Sequence, residues 1–190
     1  MRRHLFLGLI RPPLTDPPPS LDDPELAALA ARLDVAARRR LGRSLSIREV
    51  DAGSCNGCEL EINALSNAIY DLERFGLRFV ASPRHADVLL VTGPVTHNMR
   101  EALERTHAAT PAPKWVVAVG DCAAGHGLFA DSYATVGSVA AVLPVDLQIR
   151  GCPPDPTALL KGLLTLMEGG GTGDRRRETA GHHGPGRGIL

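Results

Sequence analysis

Four cysteines are the residues of this sequence whose types and spacing are best suited to chemistry. Cys55 and Cys58 are separated by two residues, whereas Cys122 and Cys152 stand alone further along the chain. In a protein that is not secreted, cysteines are more often thiols or metal ligands than disulfides. Four thiolates can hold either an iron–sulfur cluster or a zinc ion.

The residues around the cysteines favour an iron–sulfur cluster. Small glycines next to the cysteines let the backbone approach a bulky inorganic core and point N–H groups at its sulfides. These glycines are Gly53, Gly57, Gly120, Gly125, Gly127 and Gly151. Cys152 is followed by Pro153, and a Cys-Pro pair often ends an iron–sulfur ligand set. We therefore predict one [4Fe–4S] cluster on Cys55, Cys58, Cys122 and Cys152.

Two other interpretations of the cysteines remain open. Structural zinc sites usually use two close Cys-x-x-Cys pairs, whereas this chain has one pair and two single cysteines. Inert buried cysteines are common in proteins, but they have no reason to collect at one place in a fold.

The apolar pattern predicts how the cysteines are brought together. Runs typical of buried strands cover residues 45–50, 77–80, 88–91, 115–119 and 145–149, and helical periodicity covers 62–72, 100–106 and 156–167. This alternation predicts a doubly wound, mostly parallel, flavodoxin-like α/β sheet. Each cysteine segment follows a predicted strand, and ligands collect beyond the carboxyl ends of such strands.

The two ends of the chain differ from the middle. Residues 1–44 form a predicted N-terminal arm with one amphipathic helix, which begins near Pro24 and ends at Gly42. That helix is either a surface element or a docking arm for a partner or a membrane. Residues 45–168 form the predicted cluster-binding domain. Residues 169–190 lack apolar periodicity and are predicted to be a disordered tail.

Composition and charge exclude some functions. Lys plus Arg and Asp plus Glu are equal at 21 each, and aromatic residues make up 4%. A neutral chain with few aromatic rings is a poor nucleic-acid binder. The apolar run at residues 5–10 is too short for a signal-peptide core or a membrane span, so we expect a cytoplasmic location.

The motifs together resemble one known family. The segments Asp51-Ala52-Gly53-Ser54-Cys55-Asn56-Gly57-Cys58-Glu59, Ser82-Pro83-Arg84-His85-Ala86-Asp87, Gly120-Asp121-Cys122-Ala123 and Gly151-Cys152-Pro153-Pro154 carry the resemblance. They resemble the family of the complex I 20 kDa subunit and the small subunits of [NiFe]-hydrogenases. Within it, the sequence is most similar to the small subunits of membrane-associated, energy-converting hydrogenases of the formate hydrogenlyase type.

The resemblance implies a function in electron transfer. The cluster would pass electrons to or from a [NiFe] centre on a partner large subunit, and this chain would not be catalytic alone. Further partners would be another iron–sulfur subunit and membrane subunits, which would hold the chain at the inner face of the cell membrane. The alternative is a complex I-type subunit that passes electrons to quinone. Members of that branch carry adjacent cysteines where this chain has Cys55 and Cys58.

Three other residues are weaker candidates for a role at the site. Glu59 follows Cys58 and could move protons, or it could be an ordinary acidic residue in a first helical turn. Arg84 matches the family's Ser-Pro-Arg segment and could lie near the cluster, or form a structural salt bridge. His126 could couple a proton to cluster reduction, or be a solvated loop histidine.

Overall fold

The computed structural model describes residues 24–129 and 131–169. Its centre is a five-stranded sheet. Its strands are β1 Ser46–Asp51, β2 Arg78–Phe79, β3 Val88–Thr92, β5 Trp115–Val119 and β7 Leu147–Ile149. They lie side by side in the order β2-β1-β3-β5-β7. All four strand pairs are parallel. This order is that of flavodoxin-like sheets and confirms the predicted fold class.

Helices cover both faces of the sheet, which is why β3 and β5 are apolar except for Thr92 at the end of β3. Every residue of β3 and of β5 is buried. Three helices pack on one face, α1 Pro24–Leu41, α2 Gly57–Ala64 and α4 Pro156–Met167, and one helix, α3 His97–Ala109, packs on the other. A parallel sheet must be covered on both sides in this way to bury its side chains.

The first helix packs against the last. Leu26, Leu33 and Ala37 of α1 are buried in the same core as the leucines of α4. The helix bounds agree with the sequence pattern, and α4 begins where the Asp155 side chain accepts a hydrogen bond from the Ala158 N–H at 2.8 Å. The rest of the predicted arm, residues 1–23, and the predicted tail from residue 170 lie outside the described residues.

The second helix is shorter than the sequence pattern predicted. Helical periodicity extended to residue 72, but α2 ends at Ala64 and a separate 3-10 turn covers Leu72–Phe75. The Asn67 side chain accepts hydrogen bonds from the Ile69 and Tyr70 N–H groups at 2.8 and 3.0 Å. Such local bonds compete with helical hydrogen bonds, so the helix does not continue although its apolar spacing does.

A small second sheet was not predicted from the sequence. Strands β4 Val95–Thr96 and β6 Thr135–Gly137 pair in antiparallel fashion beside the main sheet. They are too short to show any apolar period. Within the described residues, no helix has both the length and the apolar character needed to cross a membrane.

Candidate metal centre

The strand register brings the cysteine loops to one edge of the sheet. Thr92 at the end of β3 is paired with Asp51 of β1 on one side and with Val119 of β5 on the other. Val119 is in turn paired with Ile149 of β7. Four strands therefore end at the same level, and the segments that carry the cysteines leave from three of them.

The loop that holds the cysteine pair is fixed by side-chain hydrogen bonds. Asp51 Oδ1 accepts from the Gly53 and Ser54 N–H groups, both at 2.7 Å. Ser54 Oγ then accepts from the Asn56 N–H at 3.1 Å. These bonds turn the chain directly from the end of β1 into α2, so that Cys55 lies before the helix and Cys58 within its first turn.

The loops of the two single cysteines are tied to each other. The Asp121 N–H donates to the Gly151 carbonyl at 2.8 Å, and Asp121 Oδ1 accepts from Arg150 Nε at 2.5 Å. The bond from Arg150, with a weaker one from the Gly151 N–H, lowers the pKa of Asp121 below its ordinary value. Asp121 precedes Cys122, and Arg150 lies two residues before Cys152. This contact therefore fixes the loops of the two cysteines relative to each other.

The four thiols act on one another electrostatically. Burial raises the pKa of Cys58 to about 12, and the charges of Glu59, Cys55, Cys122 and Cys152 contribute to the rise in that order. Burial also raises the pKa of Cys122, whereas N–H groups of Phe129 and Leu128 that donate to its sulfur act in the opposite direction. Four thiolates at this place would repel each other, so positive charge is needed to hold them.

Two glycines leave the room that the sulfur atoms need. A Cβ atom at Gly120, whose φ is +88°, would lie 2.6 Å from Cys58 Sγ. A Cβ atom at Gly127 would collide with Cys122 Sγ and would stand 2.7 Å from its Cα. Any larger residue would displace a thiol, so these positions form a cradle around the sulfurs.

The residues present fit an iron–sulfur cluster. The donor set consists of four free thiols, of which Cys55 and Cys152 are exposed and Cys58 and Cys122 are half-buried. Backbone N–H groups reach one sulfur, and glycines give space to two of them, as clusters require. Across residues 24–129 and 131–169, no three or more His, Cys, Asp or Glu side chains form a group that could hold a metal ion, so the fit rests on the type of the donors and on the room around them.

The weaker candidates lie in different places. Glu59 is in the first turn of α2, is only 7% exposed, and has no hydrogen-bond partner for either carboxylate oxygen among the described residues. His126 is exposed in the loop of Cys122, where its backbone N–H donates to the Asp121 carbonyl at 2.9 Å. Arg84 lies in the 3-10 turn Pro83–His85 that precedes β3, whereas the cysteines follow the carboxyl ends of strands.

Exposed large apolar side chains in the segments that follow Cys58 and Cys122 were missed from the sequence. Leu60 is 62% exposed on α2, and Leu128, Phe129 and Tyr133 are exposed after Cys122, with Tyr133 at 97%. We call these four residues the apolar rim. The sequence did contain a sign of it: the loop after Cys122 is rich in glycine, yet it carries large apolar residues that follow neither a strand period nor a helix period.

A second feature missed from the sequence is Glu49 on β1. It is half-buried beneath α2, and burial together with the charge of Glu59 raises its pKa to about 7. Strand alternation could have identified it, because Glu49 lies two residues after the buried Ile47 and so faces the same side of the sheet.

Comparison with known proteins identifies a consistent group. Residues 55–166 match the family described as NADH ubiquinone oxidoreductase, 20 Kd subunit. The chain is 46% identical over 128 residues to a probable membrane-bound hydrogenase subunit, mbhJ, of Pyrococcus furiosus, covering 67% of this chain and 77% of that protein. It is 42% identical over 151 residues to formate hydrogenlyase subunit 7 of Escherichia coli, covering 80% of this chain and 58% of that protein.

Two further similarities come from other complexes. The chain is 47% identical over 112 residues to a subunit of the NADH-quinone oxidoreductase of Clostridium beijerinckii, covering 58% of this chain and 66% of that protein. Among solved structures it resembles a chain of the membrane-bound sulfane sulfur reductase, an archaeal respiratory membrane complex. That match has a TM-score of 0.61 and 32% identity, and covers 82% of this chain and 92% of the other.

Proposed function

Because the chain belongs to the family of the NADH ubiquinone oxidoreductase 20 kDa subunit, and is thus a subunit of an oxidoreductase complex, we propose that it carries one [4Fe–4S] cluster on Cys55, Cys58, Cys122 and Cys152. The observation that carries this proposal is the convergence of four free thiols at one edge of the sheet. A [4Fe–4S] cluster accepts and passes on single electrons. The chain's own residues hold it: the Asp51 turn fixes the cysteine pair, and the Asp121–Arg150 contact fixes the two single cysteines.

The proposed electron partner is a [NiFe] centre on a large subunit of a hydrogenase complex. The two-residue spacing of Cys55 and Cys58 supports it, since it lets the loop after β1 present one thiolate and the first turn of α2 present the other. Similarity to the Pyrococcus and Escherichia hydrogenase subunits supports it as well. The alternative is a complex I-type subunit that reduces quinone, which the similarity to the Clostridium protein supports.

The apolar rim is the proposed docking surface for that large subunit. Leu128 and Phe129 donate backbone N–H bonds to the Cys122 sulfur while their side chains face solvent. A cluster that exchanges electrons with a neighbouring subunit must lie close beneath the shared surface, and large apolar side chains are typical of such interfaces. Further proposed partners are another iron–sulfur subunit and membrane subunits, at the inner face of the membrane.

Near the cysteines, Glu59 is the proposed proton-transfer residue, and its buried position supports this role. Arg84 and His126 remain proposed neighbours of the cluster. His126 is held in the Cys122 loop, which supports its assignment more directly than the position of Arg84 does.

The proposal is tested on the purified complex that contains this chain. Metal analysis should find nickel, and the complex should reduce a viologen dye with hydrogen or evolve hydrogen from reduced dye. Since the chain also resembles a sulfane sulfur reductase chain, both activity and nickel have to be measured. Quinone reduction without hydrogen activity and without nickel would favour the complex I-type alternative.

A further inference from the structure

The central sheet has an open edge along residues 48–51 of β1. β2 pairs only with Ser46 and Ile47, and the last bond between the two segments runs from the Val80 N–H to the Ile47 carbonyl at 2.8 Å. β1 continues to Asp51 and stays paired with β3 on its other side. Within the described part of the chain, residues 48–51 therefore have a neighbouring strand on one side only.

The direction of the main-chain groups shows which residues face this edge. The Leu45 carbonyl accepts from the Arg78 N–H at the β2 side, whereas the Ala52 N–H donates to the last carbonyl of β3, both at 3.1 Å. Odd-numbered residues of β1 thus face β2 and even-numbered residues face β3, since main-chain groups alternate along a strand. Glu49 and Asp51 face the open side, where no backbone hydrogen bond between described residues includes them. Natural proteins usually cover or pair such an edge.

A crevice lies at this open edge. Its volume is about 270 Å³, and its lining includes Glu49 of β1, Asn63 and Ser66 at the end of α2 and just after it, and Val80 and Ala81 after β2. Asn63, Ser66 and Ala81 are exposed, so the crevice opens to the surface. One water molecule occupies roughly 30 Å³ in the liquid, so the crevice has room for a side chain and a short piece of main chain.

The crevice is short of positive charge. Oε1 of Glu49 is buried there with no hydrogen-bond partner among the described residues. The charges of Glu59 and Asp51 add to burial in raising the pKa of Glu49, and only Arg48 acts in the opposite direction. Strand alternation aims the Arg48 side chain at the other face of β1, where its Nε is itself buried and unpaired within the described residues. Because buried charges are normally paired, the Glu49 carboxylate calls for a cation from outside the described residues.

The crevice adjoins the apolar rim. Leu60 of the rim and Asn63 of the crevice are three residues apart on α2, so they are neighbours on one face of the helix. Both side chains are exposed. A subunit that covers Leu60 therefore also passes the mouth of the crevice.

We propose that the crevice receives an extended segment of the large subunit, which adds to the open edge of β1 and places an arginine or a lysine against Glu49. This inference rests on the proposed docking of the large subunit at the apolar rim. The Cα atoms of Glu49 and Asp51 are about 6.5 Å apart along the strand, so about three or four extended residues can pair with both. Main-chain bonds of this kind give affinity, and the carboxylate selects a cationic side chain.

The placement of the segment is tested by photo-crosslinking in the purified complex that contains the full chain. A diazirine amino acid in place of Ser66, at the exposed side of the crevice, should crosslink to one segment of the large subunit that contains an arginine or a lysine. Mass spectrometry of the crosslinked peptides identifies that segment. The same amino acid in place of Val35, which is exposed on α1, is the control and should not crosslink to the large subunit. A crosslink from position 66 to another subunit, or to none, would overturn the proposal.

The charge pair is tested by measuring how tightly the large subunit associates. Glu49→Gln should weaken association about tenfold or more, because the partner's cation is left without its carboxylate, and Glu49→Lys should weaken it further. Glu73→Lys is the matched control, because Glu73 is exposed on the 3-10 turn Leu72–Phe75 and does not line the crevice. That variant should assemble like the wild type.

Iron content shows that each Glu49 variant is folded, because neither substitution touches a cysteine. Unchanged association of both iron-loaded Glu49 variants would overturn the charge pair and with it the proposal. Nickel and hydrogen activity are measured on the same complex. Their absence would overturn the proposed hydrogenase function, while the crosslink from position 66 would still decide this inference.

Discussion

The surface of α3 and the thiol edge of the sheet differ in how far the chain satisfies its own groups. On α3, Arg100 pairs with Glu104 at 3.0 Å and Arg105 pairs with Glu101 at 2.5 Å. At the thiol edge, four thiols are free, Glu59 has no hydrogen-bond partner in the described part of the chain, and the apolar rim is exposed. Buried polar groups and large exposed apolar groups normally find partners. The α3 surface therefore satisfies its own charged groups in water, whereas the thiol edge leaves its groups open to the proposed cluster and the proposed partner.

The largest effect should come from replacing a ligand. Cys152→Ser should lower the iron content from about four per chain to below about one, because serine removes a thiolate from the set. Iron and sulfide assays measure the loss. Glu101→Gln on α3 is the control and should keep the full iron content. Equal iron contents in the two variants would contradict the assignment of Cys152 as a ligand.

A glycine of the cradle should matter nearly as much as a ligand. Gly120→Ala places a Cβ 2.6 Å from Cys58 Sγ, at a φ of +88°, and should greatly reduce iron occupancy. Gly42→Ala is the control, because the φ of Gly42 is +70° but nothing lies within 4 Å of an added Cβ. Each substitution should lower the free energy of unfolding by about 1–3 kcal/mol through backbone strain. Only Gly120→Ala should lose iron, and loss in both variants would show that strain alone is responsible.

Substitutions in the apolar rim should separate docking from cluster binding. Leu128→Asp should make association with the large subunit about 100-fold weaker or more, because burying an unpaired carboxylate costs about 3 kcal/mol or more. Val35→Asp is the control, since Val35 is exposed on α1, in a different region, and its replacement should leave assembly unchanged. Co-purification of the complex measures the effect. Normal assembly of Leu128→Asp would place the interface elsewhere.

The smallest effect should be a change in the pH dependence of stability. The pKa of Glu49 rises from 4.5 to about 7 on folding, so the folded chain binds more protons than the unfolded chain between these values. Stability should therefore fall as pH rises through this window, and Glu49→Gln should remove that part of the loss. Because Glu49 is partly solvated, we expect about 1 kcal/mol, or about 3 °C in Tm. Parallel curves of Tm against pH for the two proteins would contradict this.

Much of the fold could be predicted because its signals are local and strong. The apolar runs that become β3 and β5 are buried on both faces, and α4 begins at an Asp-Pro cap and keeps a leucine period to its end. The predicted sheet placed the loops of all four cysteines at one edge, where the strand register has them. The extra pairing of β4 with β6 could not be predicted, because two short segments about 40 residues apart carry no pattern.

The part of the site that escaped prediction depends on groups that meet only after folding. Glu59 was a candidate because it follows Cys58, but its effect on Glu49, ten residues earlier in the sequence, arises only when β1 and α2 pack together. Asp121 and Arg150 meet because β5 and β7 are neighbours, which the sequence indicates only in outline. The exposure of Leu128 and Tyr133 depends on the path of an irregular loop.

The most direct test of the central assignment is metal and sulfide analysis of the full chain purified anaerobically with its complex, combined with EPR of the cluster signal that depends on Cys58. If the four cysteines hold a cubane, this signal should appear on reduction, and its removal in Cys58→Ser should coincide with a loss of about four irons and four sulfides. A zinc ion in stoichiometric amount on the wild-type chain, with no iron lost and no EPR signal changed in Cys58→Ser, would contradict the account.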